Sequence, residues 1–296
     1  MKLGVQLPEV EREVGWVEMR DIALTAEECG FDSIWLGDHL LFRDESRVAG
    51  PMETWSLLAA LGEATERVDL GPLVAATSFH APAMLAKKAA TVDEISGGRL
   101  ILGLGAGWNK AEYQAFGFPY DQRVSRFEEA FTIIHTLVRE GAIDFEGDFY
   151  QLRDMELLPR ARPDMTLLVG SNGPRMLRIT MPHADMWNTW HLDYGNRAPG
   201  LQRLNEVVDQ ACADVGRDPA EVERTAAVYV QLSRGSGRRA GSTDKPQSSP
   251  ITGSHDQIAE QLAAFAAVGA SHLQIVLDPI DRAGVEELAE VVRLIR

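Results

Sequence analysis

Short apolar runs alternate with longer amphipathic segments along most of this 296-residue chain. A short run between turn residues predicts a buried strand, and a longer segment with apolar positions three and four residues apart predicts a helix. The predicted strands cover residues 2–7, 33–36, 68–75, 100–104, 166–169, 184–188, 225–232 and 272–277. The predicted helices lie near residues 15–29, 53–65, 82–95, 122–139, 199–215, 255–268 and 285–294, and a short helix begins at Pro174.

Eight such β-then-α units favour a closed parallel barrel, so we predict an α/β fold of the (β/α)8, TIM-like type. Glycines support this count, because Gly30, Gly98 and Gly269 end helices directly before strands. An open, doubly wound sheet is the alternative. We expect residues 1–296 to form a single domain.

Two segments interrupt the alternation. Residues 143–152 alternate around Glu-Gly-Asp, which predicts a β-hairpin outside the barrel. Residues 233–249 are rich in Gly, Ser, Arg and Pro, which predicts a mobile loop after the seventh strand, on the catalytic face. The densest basic cluster of the chain lies there and either clamps an acidic ligand or is simply solvated; it consists of Arg234, Arg238, Arg239 and Lys245.

Composition narrows the class of protein. A hydrophobic content of 45% is enough for a large core, and the net charge of −15 argues against nonspecific binding to nucleic acid or to an anionic membrane. No apolar run approaches the roughly 20 residues of a membrane-spanning helix. Cys29 and Cys212 lie far apart in predicted helices, which is typical of reduced thiols in a cytoplasmic protein.

The second predicted strand ends on an acid and an imidazole, Asp38 and His39. In parallel α/β folds, catalytic groups follow the carboxyl ends of strands, and histidine changes its charge near neutral pH. We therefore predict that Asp38 and His39 are catalytic, with Asp38 orienting the ring or supporting its cationic form. The alternative is an ordinary turn or helix N-cap.

Two further strand exits are rich in glycine. Gly103, Gly105 and Gly107 end the fourth strand, where the backbone can approach a ligand closely. The stretch 170–173 ends the fifth strand and opens a helix, whose N–H groups would form a phosphate cradle with Arg175 adding charge. A tight strand exit and a plain helix start explain these residues equally well.

Several other kinds of site lack their sequence signature. No helix is predicted directly after Gly107, so the glycines do not fit a dinucleotide fingerprint. No Walker loop or serine-hydrolase elbow is found, and His183, Asp185 and His191 lack metal-ligand spacing. We expect no bound metal. The remaining histidines are expected on the surface or on helix faces; they are His80, His135, His255 and His272.

Five motifs, in order along the chain, resemble the bacterial luciferase-like superfamily. They are Leu36-Gly37-Asp38-His39, Leu70-Gly71-Pro72-Leu73-Val74, Ile95-Ser96-Gly97-Gly98-Arg99-Leu100, the stretch from Gly103 to Gly117 with Trp108-Asn109 and Glu112-Tyr113, and Val169-Gly170-Ser171-Asn172-Gly173. Within the superfamily, the chain is most similar to actinobacterial oxidoreductases that use the deazaflavin coenzyme F420.

The resemblance implies where a coenzyme would bind. Its ring would lie at the carboxyl ends of the strands, beside Asp38 and His39, with His39 as proton donor or acceptor. A non-prolyl cis peptide at Leu73-Val74 would support the ring. The other coenzyme-binding residues implied are Gly105, Gly107, Trp108 and Asn109 near the ring and Gly170, Ser171, Asn172 and Gly173 at the phosphate.

The resemblance also implies an activity, namely hydride transfer between F420 and a small organic substrate. An FMN-dependent monooxygenase on the same barrel, or a flavin-binding relative without catalysis, is the alternative. Trp108 stands where the sugar-phosphate dehydrogenase branch has a glutamate, which makes glucose 6-phosphate an improbable substrate and predicts an apolar wall. A homodimer is compatible with the resemblance.

Overall fold

The computed structural model describes residues 1–43, 48–237 and 248–296. Its strands are β1 (Lys2–Gln6), β2 (Ser33–Leu36), β3 (Phe42–Arg43), β4 (Val48–Ala49), β5 (Asp69–Pro72), β6 (Ala75–Ala76), β7 (Ile101–Gly105), β8 (Ala142–Glu146), β9 (Gln151–Glu156), β10 (Thr166–Gly170), β11 (Met186–Thr189), β12 (Glu223–Gln231) and β13 (Ala270–Asp278).

Helices follow most of these strands. They are α1 (Trp16–Glu28), α2 (Thr54–Ala64), α3 (Pro82–Ile95), α4 (Lys110–Phe116), α5 (Arg123–Arg139), α6 (Pro174–Thr180), α7 (Ala198–Asp214), α8 (His255–Ala267) and α9 (Arg282–Ile295), with single 3₁₀ turns at Thr77–Phe79 and Pro219–Glu221. Within the described ranges, no helix is both long enough and apolar enough to cross a membrane.

The main sheet is a parallel ring in the order β5-β2-β1-β13-β12-β11-β10-β7-β6. β5 and β6 are two pieces of one strand. A parallel bridge from Leu70 to Leu100 joins β5 to the residue before β7, and Ala75 pairs with Leu104. Both pieces therefore border β7, and the predicted eight-stranded (β/α)8 barrel is confirmed.

The strands are buried on both faces, which explains their unbroken apolar runs. One large cluster of buried side chains fills the layer between the strands and the helices, and it includes Leu3, Val5, Ile34 and Leu36. A second cluster fills the barrel interior; it consists of Trp35, Leu73, Ile101, Leu168, Met186, Ala227, Tyr229 and Val276. The interior is thus a packed core, and the open space lies at its carboxyl end.

The hairpin prediction is confirmed, because β8 and β9 pair antiparallel to each other and to no other strand of the described chain. The predicted third strand, 68–75, is interrupted by a cis peptide between Leu73 and Val74. Two small elements were not predicted, namely the β3–β4 pair and helix α4. Helix α4 begins three residues after Gly107, within the polar, aromatic stretch that precedes the next long helix, α5.

The predicted loop after the seventh strand falls largely outside the described residues. Arg238, Arg239 and Lys245 lie there, so their role as a clamp stays a prediction. Arg234 is described and pairs with α9, where its guanidinium lies 3.3 Å from the Asp281 carboxylate and 3.8 Å from that of Glu287.

Candidate active site

One cavity of about 870 Å³ opens at the carboxyl ends of the barrel strands. Its volume lies within the range of small-molecule and cofactor sites. The sequence-predicted site residues all line this cavity, although they come from four separate strand exits; they are Asp38, His39, Leu73, Val74, Gly105, Gly107, Trp108, Asn109, Gly170, Ser171, Asn172 and Gly173.

The imidazole of His39 lies between two carboxylates. Its Nδ1 is 3.0 Å from Oε1 and 3.1 Å from Oε2 of Glu112, within hydrogen-bond distance. Its Nε2 lies 3.6 Å from Oε1 of Glu9, which follows β1. The His39 side chain is 18% exposed and that of Glu112 only 1%. The imidazole is therefore open to the cavity, while its carboxylate partner is buried.

Glu112 also anchors the chain around His39. Its Oε1 accepts hydrogen bonds from the backbone N–H of Leu40 at 2.7 Å and of Leu41 at 3.1 Å. Asn109 caps α4, the helix that carries Glu112, by accepting from the N–H of Ala111. Its side-chain amide donates to the carbonyl of Leu41 at 3.1 Å. The helix and the β2 exit are thereby fixed relative to each other.

The surroundings of His39 favour its protonated form. Burial of the ring lowers the pKa of His39, but the negative charge of Glu9 and the hydrogen bond and charge of Glu112 raise it, with a smaller contribution from Asp38. The net result is a pKa above the ordinary value of 6.5. These surroundings therefore stabilise the imidazolium relative to the neutral ring.

Asp38 points to a different histidine. Its Oδ2 accepts from the N–H of Ala76 at 2.9 Å and lies 3.0 Å from Nε2 of His80. Asp38 thus supports the charge of His39 without orienting its ring. The expectation that His80 lies on the surface or on a helix face was wrong, because its side chain is 10% exposed and faces Asp38 behind the cavity wall.

The expectation that His272 lies on the surface or on a helix face was also wrong. It lies on β13 and is fully buried, with Nε2 2.7 Å from the hydroxyl of Ser33. Burial lowers the pKa of His272 to about 3, so the ring is neutral at physiological pH. His135, on α5, and His255, at the start of α8, agree with the helix-face prediction.

Leu73 and Val74 line the same cavity as His39. The peptide between Leu73 and Val74 is cis, as the resemblance implied. The Val74 side chain packs against the backbone of the neighbouring strands, since a Cβ added at Gly105 would lie 2.6 Å from Val74 Cγ2 and one at Gly170 would lie 3.0 Å from Cγ1. Only glycine fits here without displacing Val74.

The exit of β10 is held by several hydrogen bonds. The carbonyl of Ser171 accepts from the indole of Trp187 at 2.8 Å. The Asn172 amide donates to Thr189 at 3.0 Å and to Asp193 at 2.9 Å. Arg175, predicted to add charge to a phosphate cradle, instead pairs with Glu128 of α5 at 2.6 Å. Any anion here would therefore depend on backbone N–H groups.

Aromatic side chains form the opposite rim. The Phe42 ring centroid lies 4.5 Å and that of Trp108 5.6 Å from the His39 ring, each in an edge-to-face orientation. Trp108 is 46% exposed. The predicted apolar wall at Trp108 is thus present, and Phe42 extends it.

Four site residues were missed in the sequence: Glu9, Phe42, His80 and Glu112. Glu9 follows a barrel strand as Asp38 does, so the same positional argument identifies it. Glu112 belongs to one of the five motifs, but its place in the sequence does not indicate that it contacts His39. Phe42 lies in the two-residue strand β3 and His80 in an irregular segment, and neither is long enough for a period in the sequence to indicate where the side chain points. In the part of the chain that is described, no three His, Cys, Asp or Glu side chains are arranged to hold a metal.

Comparisons with known proteins identify the family of the chain. Residues 1–238 match the luciferase-like monooxygenase family. The chain is 35% identical over 227 residues to an F420-dependent glucose-6-phosphate dehydrogenase from Intrasporangium calvum, which covers 74% of this chain and 67% of that protein. It is 28% identical over 247 residues to a 5,10-methylenetetrahydromethanopterin reductase from Archaeoglobus fulgidus, covering 81% and 68% of the two chains.

A solved structure has the same fold. The F420-dependent secondary alcohol dehydrogenase in complex with an F420-acetone adduct superposes with a TM-score of 0.83 over 100% of this chain and 99% of that chain, at 18% identity. At this identity the likeness concerns the fold alone.

Proposed function

Because the chain belongs to the luciferase-like monooxygenase family, we propose that it is an F420-dependent oxidoreductase that transfers a hydride between the deazaflavin and a small organic substrate. The observation that carries this proposal is the cavity itself, which is lined by a partly exposed, carboxylate-flanked imidazole and by a glycine-backed wall. The F420-dependent relatives named above support the choice of coenzyme.

The cavity fits a planar coenzyme ring. The Leu73-Val74 segment presents a smooth face because Gly105 and Gly170 lack the Cβ atoms that would displace Val74. On the other side stand His39 and the aromatic rim. The backbone of residues 171–173 lies in the same cavity and is accessible to an anionic group.

When bound, the deazaflavin supplies the hydride chemistry at C5. The protein would hold the ring and would supply the group that exchanges a proton with the substrate. Leu73 and Val74 would support the ring face, and the N–H groups of residues 171–173 would bind the phosphate. His39 would exchange a proton with the substrate from its Nε2, since Nδ1 is occupied by Glu112.

The rim favours a substrate of low polarity. Trp108 occupies the position at which the sugar-phosphate branch carries a glutamate. Glu112 does not replace that glutamate, because its carboxylate is bound to His39 and to the N–H groups of Leu40 and Leu41. We therefore propose a neutral or weakly polar substrate rather than glucose 6-phosphate.

Binding titrations test the coenzyme assignment. Purified protein is titrated separately with F420 and with FMN, following the fluorescence of each coenzyme. We expect F420 to bind at least tenfold more tightly than FMN. Tighter binding of FMN would favour the flavin-dependent monooxygenase, and binding of neither would contradict the proposal. Tight F420 binding without turnover over a broad substrate panel would favour the non-catalytic relative.

The similarity of the chain to the luciferase-like family also leads us to propose a cytoplasmic homodimer. Light scattering during size-exclusion chromatography measures the mass in solution, for which a dimer predicts twice the 32.6 kDa of the chain. Elution as a monomer at micromolar concentration would contradict the dimer and leave the coenzyme assignment unaffected.

A further inference from the structure

We propose that Glu112 is a positioning residue that keeps His39 as a doubly protonated imidazolium, so that the site works as a proton donor and favours reduction of a carbonyl group. This inference rests on the proposed function for its catalytic meaning. The proton state of His39 is a property of the protein alone and can be tested without coenzyme.

The positions of the carboxylates around His39 favour a doubly protonated ring. A neutral imidazole has one N–H, and its other nitrogen can only accept. In this site both ring nitrogens face carboxylates, with Glu112 at 3.0 Å from Nδ1 and Glu9 at 3.6 Å from Nε2. Carboxylates are acceptors, so the form with a proton on each nitrogen suits both sides.

The burial of the Glu112 carboxylate also favours a protonated His39. An ionised carboxylate that is almost fully buried needs hydrogen bonds and a counter-charge. The N–H groups of Leu40 and Leu41 supply two of the hydrogen bonds, both to Oε1. Nδ1 of His39 is a further donor, within reach of both oxygens. A protonated His39 completes this set and neutralises the charge.

Other charged groups around the ring act in both directions. Asp38 is adjacent in sequence and adds negative charge, although its own carboxylate faces His80. Arg43 and Lys110 line the cavity as well, and their positive charges oppose the effect. The net effect of these charges is a raised pKa of His39.

The proton balance identifies the substrate class. If a reduced deazaflavin is bound, its hydride would pass to a carbonyl carbon and form a C–H bond, which leaves the deazaflavin oxidised. The C=O π bond would break and negative charge would develop on oxygen. The Nε2–H bond of His39 then breaks and an O–H bond forms, which gives an alcohol and a neutral imidazole. Solvent returns the proton to the ring. A ketone or aldehyde with apolar substituents fits the rim of Phe42 and Trp108.

The test is an NMR titration of ¹⁵N-histidine-labelled protein without coenzyme, with the His39 signals assigned by their absence in His39→Gln. In the wild type, we expect both ring nitrogens of His39 to be protonated at pH 7.5. In Glu112→Gln, we expect the titration midpoint to fall by about one unit, a tenfold loss of proton affinity. The amide oxygen of glutamine can still accept from Leu40 and Leu41, so the local fold is retained.

Glu129→Gln is the matched control. Glu129 also accepts from consecutive backbone N–H groups, those of residues 148–150 in the β8–β9 hairpin, but it does not line the cavity. Its replacement should leave the His39 midpoint unchanged. A neutral His39 at pH 7.5 in the wild type would overturn the inference, even if Glu112→Gln failed to fold. An unchanged midpoint in a folded Glu112→Gln would overturn it as well.

The pH profile of carbonyl reduction is the second readout. Activity that needs the imidazolium is lost as pH rises through the pKa of His39. Because Glu112→Gln lowers that pKa, its alkaline limb should move to lower pH by the same amount as the NMR midpoint. A merely structural role would reduce activity equally at every pH.

Discussion

Single residues decide what the cavity can do, and they differ in how far sequence predicts them. His39 was identified because a side chain directly after a parallel strand lies at the catalytic end of a barrel. Its partner Glu112 is 73 residues away in sequence, and no pattern predicts which carboxylate meets the ring. The pairing of Asp38 with His80 is of the same kind. The place of His39 was thus predictable from its position after a strand, whereas its contacts with other side chains were not.

Replacement of His39 by alanine tests its role in proton transfer. General acid–base participation contributes about 10²–10⁴-fold to rate, so turnover should fall on that scale while the F420 dissociation constant changes little. The measurement is the absorbance change of F420 with a carbonyl substrate that the wild type reduces. His255→Ala, on the exposed start of α8, is the control and should keep full turnover. Wild-type turnover in His39→Ala would exclude the residue from the mechanism.

At the scale of elements, long regular segments were predicted and short ones were missed. The barrel strands are buried on both faces and read as apolar runs, while the long helices show a clear period. Helix α4 has seven residues and the β3 strand two, which is too short for a period to appear. The break in the third strand came from the family resemblance, since Leu73 and Val74 look like ordinary strand residues. Chain composition contains no sign of a cis peptide.

The packing of Val74 against two glycine-bearing strand ends leads to a prediction at this scale. In Gly170→Ala, the new Cβ would lie 3.0 Å from Val74 and push it toward the cavity. We expect F420 affinity to fall about tenfold while the protein stays folded. Gly15→Ala, at the start of α1 with no atom within 4 Å of the added Cβ, is the control and should bind F420 as the wild type does.

Titration of both variants by F420 fluorescence, with thermal unfolding alongside, separates a local effect from a loss of fold. Equal affinities in Gly170→Ala and Gly15→Ala would show that the Val74 wall does not contact the coenzyme. The site would then have to be placed elsewhere in the cavity.

The whole molecule explains why residues far apart in sequence share one cavity. In a closed parallel barrel all eight strands end at the same rim, so the exits of β2, β6, β7 and β10 necessarily converge. The alternation of strands and helices was enough to predict this convergence. It says nothing of whether residues 1–296 act as one domain, and that stays a prediction. Because the chain carries a charge of −15, an anionic coenzyme must be held by local donors against the field of the whole protein.

A crystal structure with bound F420 tests the central claim most directly. We predict that the deazaflavin ring lies against Leu73 and Val74, with its reactive carbon toward His39. The phosphate of the coenzyme should lie near the backbone of residues 171–173. A ring bound outside this cavity, or bound within it with the reactive carbon turned away from His39, would contradict the account.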